Sequence, residues 1–296
     1  MRRLMYELAP SMSLWSAPMI QVMTAEGGAR GVPRWIATFT ALALTGMLTA
    51  CAAVSPGSGG ANSPTARASA IHLALAQAYF RRGQMQIALG EVNQALSDSP
   101  DSAAELGTRA LIEQSLGQVS AATQDYRTAL SLDPHAVAIR TDFGWLLCSD
   151  HAYHEAMAQF TWARSELEDA SNPGMARLDL DSGVCAYRAG MWQVALRDLN
   201  QALAVEPAAP VVQTNLALVL FRSGHARDAL AQLQTVNSNP GADAQTLWLG
   251  VLVARRLGDM LDMQEWRTRL VREFPNSEWA ILAQQADYDD KSIFSY

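Results

Sequence analysis

Cysteine and histidine are the residues best able to do chemistry in this chain, and they are few: three Cys and five His among 296 residues. Cys148, His151 and His154 follow one another in a C-x2-H-x2-H spacing. That order suits zinc only if a fourth ligand closes the tetrahedron, and none is evident. Turn and surface histidines are the simpler explanation, so no metal site is expected. Asp287, Asp289 and Asp290 lack the spacing of a calcium loop and read as a solvated tail. No phosphate-cradling glycine loop, nucleophile elbow or paired-carboxylate motif occurs. The chain is therefore expected to have no catalytic residues, no cofactor and no small-molecule substrate. Cys148 and Cys185 remain, and their chemistry depends on whether the fold brings them together.

The elements that would position them are marked by a ruler. Gly83, Gly117, His151, Gly190, Gly224 and Gly258 fall at intervals of 34, 34, 39, 34 and 34 residues. Small residues precede and follow each mark at constant offsets, as in Ala76, Ala88 and Ala95 around Gly83, or Ala110, Ala122 and Ala129 around Gly117. Pro100, Pro134 and Pro207 close three of the units. Apolar residues recur at helical spacing within each half-unit. A 34-residue period is that of the tetratricopeptide repeat, a helix–turn–helix unit that stacks into a superhelix with a concave groove.

The sequence thus predicts an all-α superhelix of about six hairpins over residues 70–286. A capping helix from Ser277 to Ala286 ends it, and a mobile tail, 287–296, follows. The sixth unit is the least regular, with Met263 where an alanine is expected. The long 39-residue step adds five residues within Ser165–Met175, where Asn172-Pro173-Gly174 signals a turn. Either the second helix or the loop is longer there, or the array divides into two lobes of three repeats.

Residues 1–50 read as a secretory signal: basic residues, an apolar stretch from Trp35, then small residues ending at Ala50. Leu48-Thr49-Ala50-Cys51 resembles a bacterial lipobox, which implies cleavage before Cys51 and its acylation. Three acyl chains would hold the protein at a bilayer far more firmly than one. An uncleaved membrane anchor is the alternative reading of the apolar stretch. Some 34 residues precede that stretch, so translation is expected to start later, near Met23 or Val32. Ala52 after the cysteine points to outer-membrane sorting. Residues 51–69, rich in Gly, Ser and Pro, read as a flexible tether that would hang the array clear of the membrane.

Charge excludes one class of partner. The chain carries −7. Without residues 1–50, four Arg and two Glu are lost, leaving 22 − 4 = 18 basic against 29 − 2 = 27 acidic residues, or −9. A nucleic-acid surface needs a basic stripe, so none is expected.

The first helices of such hairpins line the groove. Aligning the units places Phe80, Leu111, Trp145, Tyr187, Leu218 and Phe221 on that inner face, with Arg81, Arg222 and Arg255 beside them. An apolar, aromatic groove suits an extended or helical peptide with apolar anchors. The competing reading is that several of these are core residues. Cys148 and Cys185 occupy the first helices of the third and fourth units, neighbours in the stack. Outside the cytoplasm two such thiols would oxidise to a disulfide; the alternative is two small apolar core residues.

Repeats 3 to 6 carry more specific marks. Thr141-Asp-Phe-Gly-Trp-Leu-Leu-Cys148, Ser182-Gly-Val-Cys185, the stretch Thr246–Asp259 and Phe274-Pro-Asn-Ser-Glu278 resemble the type IV pilus biogenesis/stability lipoproteins, the PilF/PilW pilotin family. The resemblance covers about residues 48–283 and departs from the family's asparagine-rich pattern at Asp142 and Asp181-Ser182. It implies a lipoprotein of the outer membrane, its array facing the periplasm, that binds the pilus secretin and promotes its localisation and multimerisation. A periplasmic scaffold for other envelope or cell-wall assembly proteins is the alternative function.

Overall fold

The computed structural model describes residues 63–167, 173–237 and 242–285. The signal, Cys51, most of the tether and the tail lie outside these residues. Among the described residues there are thirteen helices and no strand: α1 (Pro64–Arg81), α2 (Met85–Asp98), α3 (Ala103–Ser115), α4 (Val119–Leu132), α5 (Val137–Ser149), α6 (Tyr153–Glu166), α7 (Pro173–Arg188), α8 (Trp192–Val205), α9 (Pro210–Arg222), α10 (Ala226–Asn237), α11 (Ala244–Leu257), α12 (Met260–Glu273) and α13 (Glu278–Gln284). They form six hairpins, α1–α2 to α11–α12, with α13 packed on α11 and α12. This is the predicted tetratricopeptide superhelix with its capping helix. No helix of the described residues is long and apolar enough to cross a membrane.

Local chemistry sets the helix ends. Ser63, Asp243, Asp259 and Ser277 each accept a hydrogen bond from the backbone N–H three residues on, satisfying a donor with no partner inside the helix. Ser63, followed by Pro64 at the first helical position, starts α1 before residue 70, where the sequence had placed the end of the tether. The ruler marks the opposite ends. All six marks adopt positive φ, from 63° at His151 to 90° at Gly224. The following N–H then reaches the carbonyl five residues back, as in Gln84 to Tyr79 (2.9 Å), Ala152 to Leu147 (2.8 Å) and His225 to Leu220 (2.8 Å). This closure consumes the last free carbonyls of the first helix. Histidine bears the left-handed backbone less easily than glycine but better than most residues.

Each hairpin is locked by a small residue on its first helix and a large one on its second. A side-chain carbon added at Gly144 would sit 2.8 Å from the Phe160 ring, and one at Gly183 would sit 2.8 Å from Leu199. In the sixth hairpin Gly250 lies beneath Trp266 in the same manner. It stands eight residues before its turn glycine, whereas Gly183 stands seven before Gly190. That shift by one position explains the irregular sixth unit: the interlock is kept, with a bulkier partner. Helix α11 is buried over all of Thr246–Ala254 because α9, α10, α12 and α13 cover it, and Trp279 of α13 stacks on Trp248 at 6.3 Å.

Successive odd-numbered helices touch one another along the whole stack, and no even-numbered helix makes comparable contact with the next even one. Elements on the inner radius of a curved stack lie closer together, so the odd helices form the concave wall. At the long step α6 keeps 14 residues, like α4 and α8, so the second helix is not lengthened. The extra residues enter the connection and α7, which has 16 residues against 13 in α3, α5 and α9. The array does not divide into lobes. One apolar cluster runs from Ala110 and Tyr126 through Phe143 and Phe160 to Leu178 and Cys185, and Trp145 and Met157 pack on the next.

Candidate functional site

The centre of the concave wall gathers four side chains from three helices. The guanidinium of Arg188 (α7) lies over the Trp145 ring (α5), 4.9 Å from its centroid. Tyr187 meets Trp192 edge-on, with ring centroids 5.5 Å apart. Burial pushes the Tyr187 phenol above its ordinary range, and the nearby Arg222 (α9) and Arg188 oppose that rise. A half-buried phenol thus lies within the field of two guanidinium groups from adjacent helices. Trp145 and Tyr187 are themselves half-buried, their inner edges packed on the core of the fourth and fifth hairpins. Rings rooted in the core and partly open to solvent are rigid contact surfaces, and arginines stacked on them lose little freedom on binding.

The structure unites three of the seven groove residues read from the sequence, Trp145, Tyr187 and Arg222, and disperses the rest. Leu218 and Phe221 are half-buried against the core of the last two hairpins. Phe80 packs on the core of the first hairpin, beside Ile112 of α3. Leu111 is half-buried on α3, away from the aromatic centre. Each is partly core and partly surface, so both competing readings hold for different faces of the same side chain. Arg188 was missed, although its signal was present. It stands two residues before its turn glycine, the same register as Arg81 and Arg222.

Cys148 and Cys185 form a disulfide, their Cα atoms 5.8 Å apart. The bond joins α5 to α7 across the irregular step. Cys148 is therefore not available as a thiolate ligand, while His151 Nδ1 bonds the Tyr153 hydroxyl at 2.8 Å and His154 is exposed. Ionic contacts tie α5 to α7 and α6 to α7 and α8. Arg177 pairs with Asp142 and, at 3.5 Å, with Asp181; Arg164 pairs with Asp179 and, at 3.3 Å, with Asp198. The Ser182 hydroxyl donates to Asp198 at 2.6 Å. Burial raises the Asp181 carboxyl to about 7 and that of Asp179 to about 6, despite the attraction of Arg177 and Arg164. Desolvation outweighs pairing at both sites.

Comparison with known proteins agrees with this architecture. No protein-family model matches the chain. It is 24% identical over 206 residues to the type IV pilus assembly protein PilF of Pseudomonas aeruginosa, covering 70% of this chain and 81% of that one. It is 26% identical over 223 residues to a tetratricopeptide repeat and J domain-containing co-chaperone of Fusarium oxysporum, of which it spans only 42%. Among solved structures, PilW, described as a widely conserved type IV pilus biogenesis factor, superimposes with a TM-score of 0.67 at 27% identity, covering 73% of this chain and 98% of that one. The chain is a tetratricopeptide-repeat protein related to type IV pilus biogenesis factors.

Proposed function

We propose that this relative of the pilus biogenesis factors is a pilotin: an outer-membrane lipoprotein, anchored through Cys51, that binds the pilus secretin and promotes its localisation and assembly. The observation that carries the reading is the match to PilW, which spans nearly all of that protein and places its whole array on residues of this one. The N-terminal lipobox supports a bilayer address, and the tether supplies reach. The groove centre offers rigid aromatic and cationic anchors of the kind that dominate protein recognition. No step of this function makes or breaks a bond in the partner. Binding energy is used to hold a subunit where it must assemble.

The test is a Cys51→Ala variant expressed in place of the natural chain. Secretin oligomers in the outer membrane should fall to a small fraction of their usual amount, with monomer accumulating elsewhere in the envelope. Unchanged oligomers would refute the pilotin role. Capture of other envelope or cell-wall assembly proteins without the secretin would favour the scaffold function instead.

A further inference from the structure

Part of the concave wall is cationic in a chain that is not. Three registers of the first helices, two, three and six residues before each turn mark, give 3 × 6 = 18 positions along the wall. They hold Arg81, Arg188, Arg222, Arg255 and Arg256 and no aspartate or glutamate. The chain as a whole carries 29 acidic against 22 basic residues. The first helices carry Glu105, Glu113, Asp142, Asp179 and Asp181 at other registers, and of these Asp142, Asp179 and Asp181 are paired with Arg177 or Arg164, so the excess of positive charge is confined to these three registers.

We propose that the groove centre, with Arg188 and Arg222 near Tyr187 and with Trp145 alongside, recognises an acidic segment of its protein partner, setting carboxylates against the guanidinium groups and an aromatic or aliphatic anchor against the rings. This deepens the pilotin reading, on which the identity of the partner rests. The chemistry follows from the side chains. Arginine offers a planar fork of donors that matches a carboxylate in two bonds, which lysine cannot do. Arg188 and Arg222 occupy one register on adjacent helices, so both reach the same level of the groove, and the Tyr187 hydroxyl, within the field of both, adds a donor. The stack of Arg188 on Trp145 orients one fork in advance. The net charge of −7 on the chain would disfavour contact of the same segment elsewhere.

The experiment uses the purified chain and three labelled peptides of about twelve residues, alike in their Phe and Leu anchors but carrying glutamate, glutamine or lysine at the remaining positions. Fluorescence anisotropy should show the glutamate peptide binding at least about tenfold more tightly than the glutamine peptide, with the lysine peptide weakest. The Arg188→Gln/Arg222→Gln double variant should lose that preference while its helicity and melting temperature stay unchanged. Lysine at both sites should restore part of it. Equal affinity for the glutamate and glutamine peptides would overturn the proposal, and so would a preference that survives the double glutamine variant. Tighter binding of a single-stranded oligonucleotide than of the glutamate peptide would overturn it too. The two readings fail separately. Undiminished secretin capture by the double variant defeats the acidic-segment proposal alone. A clear glutamate preference without secretin capture supports it and defeats the pilotin reading alone.

Discussion

The second and fifth hairpins keep the 34-residue beat, while the third and fourth break it, and the two regions are held together differently. In α3–α4 and α9–α10 the two helices are tied by the apolar interlock, to which α3–α4 adds an Arg109–Asp125 pair within the hairpin. Ala110 and Ala217 face second helices that carry the fully buried Tyr126 and Leu233. The third and fourth hairpins use the same interlock and add ties that run from one hairpin to the next: a disulfide and the Arg164–Asp179 and Arg177–Asp142 pairs. Repetition lets each unit dock on the last with one surface. Where extra residues shift the start of α7, that surface no longer repeats, and covalent and ionic ties supply what register does not. The groove centre sits on this reinforced part, so the rings that would meet a partner stand on the most tightly braced helices.

The largest effect should come from removing the shared device. Phe160→Ala opens a cavity over Gly144 and is expected to cost about 3–5 kcal/mol in urea unfolding. Leu233→Ala, in the regular part, should cost about 2–5 kcal/mol. A much smaller loss at Phe160 would mean that the disulfide, not the interlock, carries the irregular region. Replacing Cys148 and Cys185 together by serine should cost about 3–4 kcal/mol by the loop-entropy account, read as a lower denaturation midpoint. If instead the midpoint is unmoved, the bracing assigned to this region is wrong.

Acidity should sharpen the contrast next. Asp181 titrates near 7 in the folded chain against an ordinary 3.8, with desolvation the main cause and Arg177 opposing it. Between those values the folded form binds more protons than the unfolded one. Stability must then fall as pH rises through that window and level off above about 7. The Asp181 contribution should make the protein roughly 2–3 kcal/mol less stable at pH 8 than at pH 5. Asp181→Asn should remove that difference, and a variant with the parental pH profile would refute the assignment. The smallest effect belongs to the one turn mark that is not glycine. His151→Gly relieves a positive φ and should raise stability by about 0.5 kcal/mol, after loss of the bond to Tyr153 is counted. Gly117→His, in the regular array, should lower stability by about 1 kcal/mol.

Much of the fold could be read without coordinates because it rests on local rules. The turn marks declare a left-handed residue, the alanines and glycines declare close helix contacts, and both repeat. Ser63 shows where such reading is weakest. Its cap and the proline after it extend α1 into a stretch whose composition resembles linker. The groove was legible residue by residue but not as an assembly. Trp145, Tyr187 and Arg222 were marked from register alone, yet Arg188 in the same register was passed over, since its value lies in the ring it covers on another helix. Asp181 gave no sign of its raised carboxyl value, which depends on burial between helices.

The chain's own sequence therefore determined the repeat, the hairpin count, the turn conformations and the pairing partners available to Cys148 and Cys185, because each depends on residues at fixed separation. Tertiary structure alone decided that the two thiols meet, that the long step falls in a connection and the start of α7, and that aromatic rings and arginines from three helices converge at one level of the wall. Those outcomes depend on how successive hairpins rotate against one another. That rotation is set by packing between residues far apart in the chain, which no local pattern encodes.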